Sequence, residues 1–166
     1  MNDEFYNISF LKDIAKKKKK SNKKLVSRLK KLKSREIDSI VQKHHYEVFE
    51  YVDCLKCANC CKNISPIITD RDIVRIAKHL KMRAIDFIQK YLNMDEEGDY
   101  VYKQAPCPFL LDDNYCSIYE FRPKACAEYP HTDRVRVYQA LDLSLKNSAV
   151  CPAVYEIFEK IKSQGY

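Results

Sequence analysis

Four cysteines stand within eight residues: Cys54, Cys57, Cys60 and Cys61 make a C-x2-C-x2-C-C run. Four more follow at Cys107, Cys116, Cys126 and Cys151. A two-residue gap lets two thiolates from one turn of chain reach one ion, and repeating it brings a third to the same side. Thiolates are soft ligands, so they select zinc, copper(I) or iron–sulfur clusters over magnesium, calcium or manganese. The spacing of Cys54, Cys57 and Cys60 matches the first three positions of a ferredoxin-type run. The fourth position of that run is missing, but Cys107-Pro108 and Cys151-Pro152 offer distant Cys-Pro pairs. The spacing therefore points to iron, as an iron–sulfur cluster, with closed tetrahedral zinc sites as the alternative. All eight cysteines are candidate metal ligands. Adjacent Cys60 and Cys61 point in different directions, so they are not expected to serve one ion identically.

The state of the thiols depends on compartment. The N-terminus, Met1-Asn2-Asp3-Glu4-Phe5, lacks a basic stretch followed by an apolar one, and no run approaches the roughly 20 apolar residues that cross a bilayer. A cytoplasmic location is expected, where cysteines stay reduced and act as ligands rather than in disulfides. The composition, 46% hydrophobic and 32% charged, suits a globular protein. Two glycines alone, Gly98 and Gly165, argue against phosphate-cradling loops and a turn-rich all-β fold.

Charge is concentrated in one segment. Residues 12–35 carry 13 Lys and Arg against one acid, Asp13, while the remainder carries 17 bases against 22 acids. The stretch between Lys16 and Arg35 is a candidate for nucleic acid or another polyanion, by release of counterions. No aromatic residue lies between Leu11 and His45, so stacking on single-stranded bases is not expected there.

The elements that must position the cysteines read as mostly α. The five-lysine run Lys16 to Lys20 repels itself, and residues 1–22 are expected to be flexible. Leu25, Leu29, Leu32, Ile37, Val41, His44 and Val48 recur at helical steps and predict one basic amphipathic helix over residues 23–51. Residues 52–166 would then form the cysteine-cluster domain. Within it, residues 54–61 read as a compact loop. Thr69 and Asp72 resemble a capping box opening a short helix, and a second short helix runs from Ala84 to Leu92. Tyr100-Val101-Tyr102 and Phe109-Leu110-Leu111 read as two short strands, with a tight turn at Asp112-Asp113-Asn114. Residues 134–145 fit strand and helix equally. Pro152 opens a final helix. The fold expected is a small helical domain around an irregular cysteine-rich core with at most one short β-hairpin.

Among other residues, His44 shares the apolar helix face and reads as a core histidine. His79 reads as surface, and His131 is the best non-cysteine ligand candidate. Arg122 is expected to anchor its loop through backbone carbonyls or to offset thiolate charge.

The run Cys54-Leu55-Lys56-Cys57-Ala58-Asn59-Cys60-Cys61 resembles the signature of the CxxCxxCC, or YkgJ-type, family of zinc- or iron-chelating proteins. Cys107-Pro108-Phe109-Leu110, Cys116-Ser117-Ile118-Tyr119, Arg122-Pro123, Cys126 and Tyr129-Pro130 follow the same family's pattern. The resemblance implies bacterial, cytosolic metal binding on a small, mostly helical domain, with a structural, redox or metal-handling role. A related module is similar to part of flagellin lysine N-methylase, so the alternative is a metal-dependent enzyme acting on a protein or nucleic acid docked on the basic segment. Ala127 stands where the family pattern often has arginine, and the lysine-rich segment lies outside the pattern.

Overall fold

A computed structural model describes residues 3–166. The chain is mostly α, with one two-stranded antiparallel sheet. It divides into two compact units. Met1–Cys57 with Pro130–Tyr166 form the first, and Ala58–Tyr129 the second.

The first unit is built on α1 (Ile8–Leu29), α2 (Ser34–Phe49), α8 (Leu141–Asn147) and α9 (Pro152–Ser163). Where one helix over 23–51 is expected the chain forms two, α1 and α2; of the segment 1–22 expected to be flexible, residues 1–2 lie outside the described residues and residues 8–22 are helical. Asn7 caps α1 by accepting from the N–H groups of Ser9 and Phe10 at 2.8 and 3.3 Å. The lysine run is helical because the helix buries Leu11, Leu25, Val26 and Leu29 while its lysines stay in water. Packing on α9 and α8 supplies what propensity lacks. Lys18 pairs with Glu159, and Lys162 donates to the Asn22 side chain at 2.8 Å. The helix breaks at residues 30–33, where Lys31 and Leu32 bond back three residues.

In α2, Ile37, Val41, His44 and Val48 are buried, as the periodicity predicts. The α9 face adds Val154, Ile157, Phe158 and Ile161, all at most 1% exposed. Pro152 sits in the first turn of α9, where its missing N–H costs nothing. The ambiguous 134–145 stretch forms a 3-10 turn, Val137–Ala140, and then α8. Asp38 of α2 accepts from the N–H groups of Arg136 and Val137 at 2.9 and 2.8 Å, which fixes that turn.

The second unit contains α4 (Asn59–Asn63), α5 (Asp70–His79), α6 (Ala84–Tyr91), β1 (Leu92–Met94), β2 (Tyr100–Tyr102) and α7 (Lys124–Ala127). Thr69 and Asp72 make the capping box, each bonding the other's backbone N–H. The hairpin pairs Leu92 with Tyr102 and Met94 with Tyr100. Its turn uses Gly98 at φ 86°. The expected second strand at Phe109-Leu110-Leu111 is not one. Only an isolated bridge joins Leu110 and Cys116. The loop turns back too soon, at Asn114 in the left-handed region, for a ladder to extend. The core of this unit gathers Ile68, Ile73, Ile76, Phe87, Leu92, Tyr102, Phe109 and Ile118.

Candidate metal centre

The expected loop at residues 54–61 is two short helical turns, α3 (Cys54–Cys57) and α4. Ala58 joins them in the left-handed conformation, at φ 49°. A β-carbon in that region costs about 1–2 kcal/mol, which the neighbouring elements must offset. Cys57 and Ala58 are both buried. None of the eight cysteines forms a disulfide.

The first unit contains Cys54, Cys57 and Cys151. Burial, and after it charge at Cys54 and Cys57, pushes the Cys151 thiol up to about 12. The backbone N–H groups of Val154 and Ala153, at the start of α9, pull the other way. Three sulfurs therefore share one electrostatic neighbourhood, although about a hundred residues separate them in sequence.

The second unit holds a larger set. Cys61, Cys107, Cys116 and Cys126 interact as charges. Burial raises Cys126 to about 12, with further contributions from Cys61, Cys107 and Cys116. Cys107 rises to about 11, first by burial and then through Cys61 and Cys116. Cys116 is raised by burial too, and by Cys61. Cys61 moves in the opposite direction, to about 7, because Cys60 hydrogen-bonds it. The two sulfurs lie 3.9 Å apart. The Lys62 charge adds to this stabilisation.

Local structure places each of these four. The Cys107 N–H donates to the Cys61 carbonyl at 2.8 Å, binding the two stretches of chain together. Two residues on, Phe109 is buried among Phe87, Tyr91 and Tyr102, with ring centroids 6.4, 5.0 and 5.7 Å away. Cys107 and Cys116 pack directly against this core. The N–H groups of Phe109 and Leu110 stabilise a Cys107 thiolate, and that of Ile118 does the same for Cys116. Cys107 and Cys116 thus meet donors two or three residues downstream, the usual way a protein offsets thiolate charge around a metal.

Cys126 depends on Asp72. This buried carboxylate accepts from the Thr69 hydroxyl at 2.7 Å and from Arg75 Nη2 at 2.6 Å. It also accepts from the Lys124 backbone N–H at 3.1 Å, at the start of the turn that carries Cys126. Arg75 Nη2 further donates to the Arg122 carbonyl at 2.9 Å. Burial opposes ionisation of Asp72, but these donors together hold its carboxyl below the usual range. The capping box was legible in the sequence; its second role at residues 122–124 was not, because the partners lie about fifty residues apart.

Arg122 does both things expected of it. Its Nη1 donates to the Tyr119 carbonyl at 2.6 Å, and its charge favours thiolates at Cys116 and Cys126. The guanidinium lies 3.8 Å from the centre of the Tyr119 ring. His44 is a core residue bonded to Glu47, and exposed His79 stacks on Phe121. His131 lies in the first unit at φ 66°, half-buried.

Sequence reading missed Tyr102. Its ring is buried and its hydroxyl has no hydrogen-bond partner among the described residues. Burial, then charge at Cys107, Cys126 and Cys116, keeps it protonated. An unmet buried donor costs about 1–3 kcal/mol, and here any thiolate charge at Cys107, Cys126 or Cys116 would act on it.

Among the described residues no three His, Cys, Asp or Glu side chains close into a finished coordination group. The thiols form two neighbourhoods in which burial, and then the charge of any neighbouring thiolate, opposes ionisation of Cys107, Cys116, Cys126 and Cys151. Their chemistry fits a soft cation, which would favour the thiolate form that burial opposes.

Comparison with known proteins agrees with that chemistry. Residues 53–152 match the model of the CxxCxxCC family, described as a "Putative zinc- or iron-chelating domain". The chain belongs to this family. An uncharacterised protein of Methanocaldococcus jannaschii is 30% identical over 86 residues, covering 50% of this chain and 46% of that protein. No solved structure matches the chain. Among the described residues no helix is long and apolar enough to cross a membrane.

Proposed function

We propose that the chain holds iron or zinc through its cysteines, with Cys61, Cys107, Cys116 and Cys126 as the principal site. The observation that carries this reading is that four thiols from three separate stretches of the second unit share one charge neighbourhood, with backbone donors at Cys107 and Cys116. Cys54, Cys57 and Cys151 contribute a second group of ligands in the first unit, and Cys60 acts beside Cys61. Four thiolates suit both a structural zinc ion and an iron–sulfur cluster. The C-x2-C-x2-C run and the two Cys-Pro pairs favour the cluster; a four-thiol set within one unit favours zinc.

A bound metal would supply a cross-link among residues 61, 107, 116 and 126, or a one-electron couple if it is a cluster. The chain's own residues desolvate the sulfurs, aim N–H groups at them and offset their charge with Arg122. The reduced cytoplasm is the compartment that keeps such thiols available. Anaerobic purification, elemental analysis and a visible spectrum test the reading. A brown protein absorbing near 400 nm identifies the cluster; a colourless one with stoichiometric zinc identifies zinc. Cys126→Ala should lower metal content in either case. Unchanged stoichiometry in that variant overturns the assignment.

A further inference from the structure

Helix α1 is lysine-rich on every face it shows to water. At 100° per residue, Lys17, Lys20, Lys24 and Arg28 form one row along it, and Lys12, Lys16, Lys19 and Lys23 a second. All eight are exposed, and among the described residues no carboxylate pairs with any of them. Each row runs about 16 Å along the helix at 1.5 Å per residue. The first row borders a cleft of about 670 Å³ lined by Lys17, Lys18, Lys20, Lys24, Glu159 and Lys162. Five ammonium groups there face one carboxylate, which Lys18 and Lys162 already share.

Holding these like charges on one rigid helix raises the local potential, which a polyanion would lower. The helix cannot insert into a bilayer, because its apolar residues Leu11, Leu25, Val26 and Leu29 are buried within the first unit. No large hydrophobic side chain between residues 5 and 45 is exposed, so membrane anchors and base-stacking platforms are both missing. Contacts from lysine and arginine to phosphate fix a protein on a duplex but carry no sequence information. A duplex carries one charge per about 1.7 Å of axis, so about 16 Å of it presents enough phosphates for both rows.

We infer that the exposed face of α1, with the lysine-lined cleft against α9, docks the phosphate backbone of double-stranded nucleic acid without sequence preference. This site is separate from the thiols and does not depend on the metal reading.

Fluorescence anisotropy of the full chain with a labelled 25-base-pair duplex tests it. Binding is expected at 50 mM salt, weakening about a thousandfold by 200 mM, with a log–log slope near −5 for about six phosphate contacts. Two duplexes of unrelated sequence should bind alike. The triple variant Lys17→Gln, Lys20→Gln, Lys24→Gln should melt as the parent does and make the slope shallower by about 2.7. If that variant melts early, Lys20→Gln alone should change the slope by about 0.9. No binding at 50 mM salt, an unchanged slope in a folded variant, or binding to phosphatidylserine vesicles but not to duplex overturns the inference.

Discussion

Tyr102 and Cys61 show how single groups shape the site. Most thiols of the second unit are held neutral by burial, while Cys61 titrates near 7 through its neighbour Cys60. Of Cys61, Cys107, Cys116 and Cys126, Cys61 is therefore the first available as an anion. The buried Tyr102 hydroxyl lacks a partner among the described residues and feels the charge of Cys107, Cys116 and Cys126. Tyr102→Phe removes an unmet donor, so stability should hold or rise slightly. Metal affinity should fall about tenfold, as loss of a supporting hydrogen bond commonly costs 10–100-fold. Calorimetric melting without metal and chelator competition with it separate the two effects.

In the second unit, elements act by fixing the positions of the cysteines. The start of α5 is the clearest case, because the Asp72 carboxylate accepts from the Thr69 N–H in the capping box and also holds the first N–H of α7. Asp72→Asn should cost about 2–3 kcal/mol, since a buried charged acceptor with four donors is replaced by a group that accepts fewer. Its depressed pKa sets the pH behaviour. A carboxylate favoured in the folded state contributes stability that is present above its unfolded pKa and lost as pH falls through the folded value. The parent should thus lose stability below about pH 4, and the variant should show a flatter acid limb in melts between pH 5 and 3. The short hairpin and the Phe109 aromatic group act similarly, seating Cys107 on the apolar core.

Over the whole molecule, the chain leaves the first unit after Cys57 and returns to it at Pro130. Neither group of thiols is continuous in sequence, so each closes long loops when it binds metal. The proton count follows from the raised pKa values. At pH 7, Cys107 and Cys126 are protonated, Cys116 is also shifted upward, and Cys61 is about half ionised. Zinc uptake by these four should release about 3.5 protons, and affinity should rise steeply with pH, because only thiolates ligate. An indicator dye in weak buffer measures the release; fewer than about two protons would mean fewer than four of these thiols bind.

The amino-acid sequence alone determined whatever depends on near neighbours. The C-x2-C-x2-C-C run, the Thr69–Asp72 cap, the Pro152 helix start, the buried face of α2 and the mostly α class all rest on residues a few positions apart. The tertiary structure decided what depends on distant partners. The lysine run is helical because α9, well over a hundred residues away, buries its apolar side and pairs Lys18. Left to local repulsion alone, that segment would read as flexible. Phe109-Leu110-Leu111 failed to become a strand for the same kind of reason: a ladder needs a partner of matching length, and the turn at Asn114 provides none. Which sulfurs share a neighbourhood, and that Tyr102 and Asp72 serve them, is likewise a property of folded distance. Spacing along a chain states which ligands are present, but only packing brings them near one another.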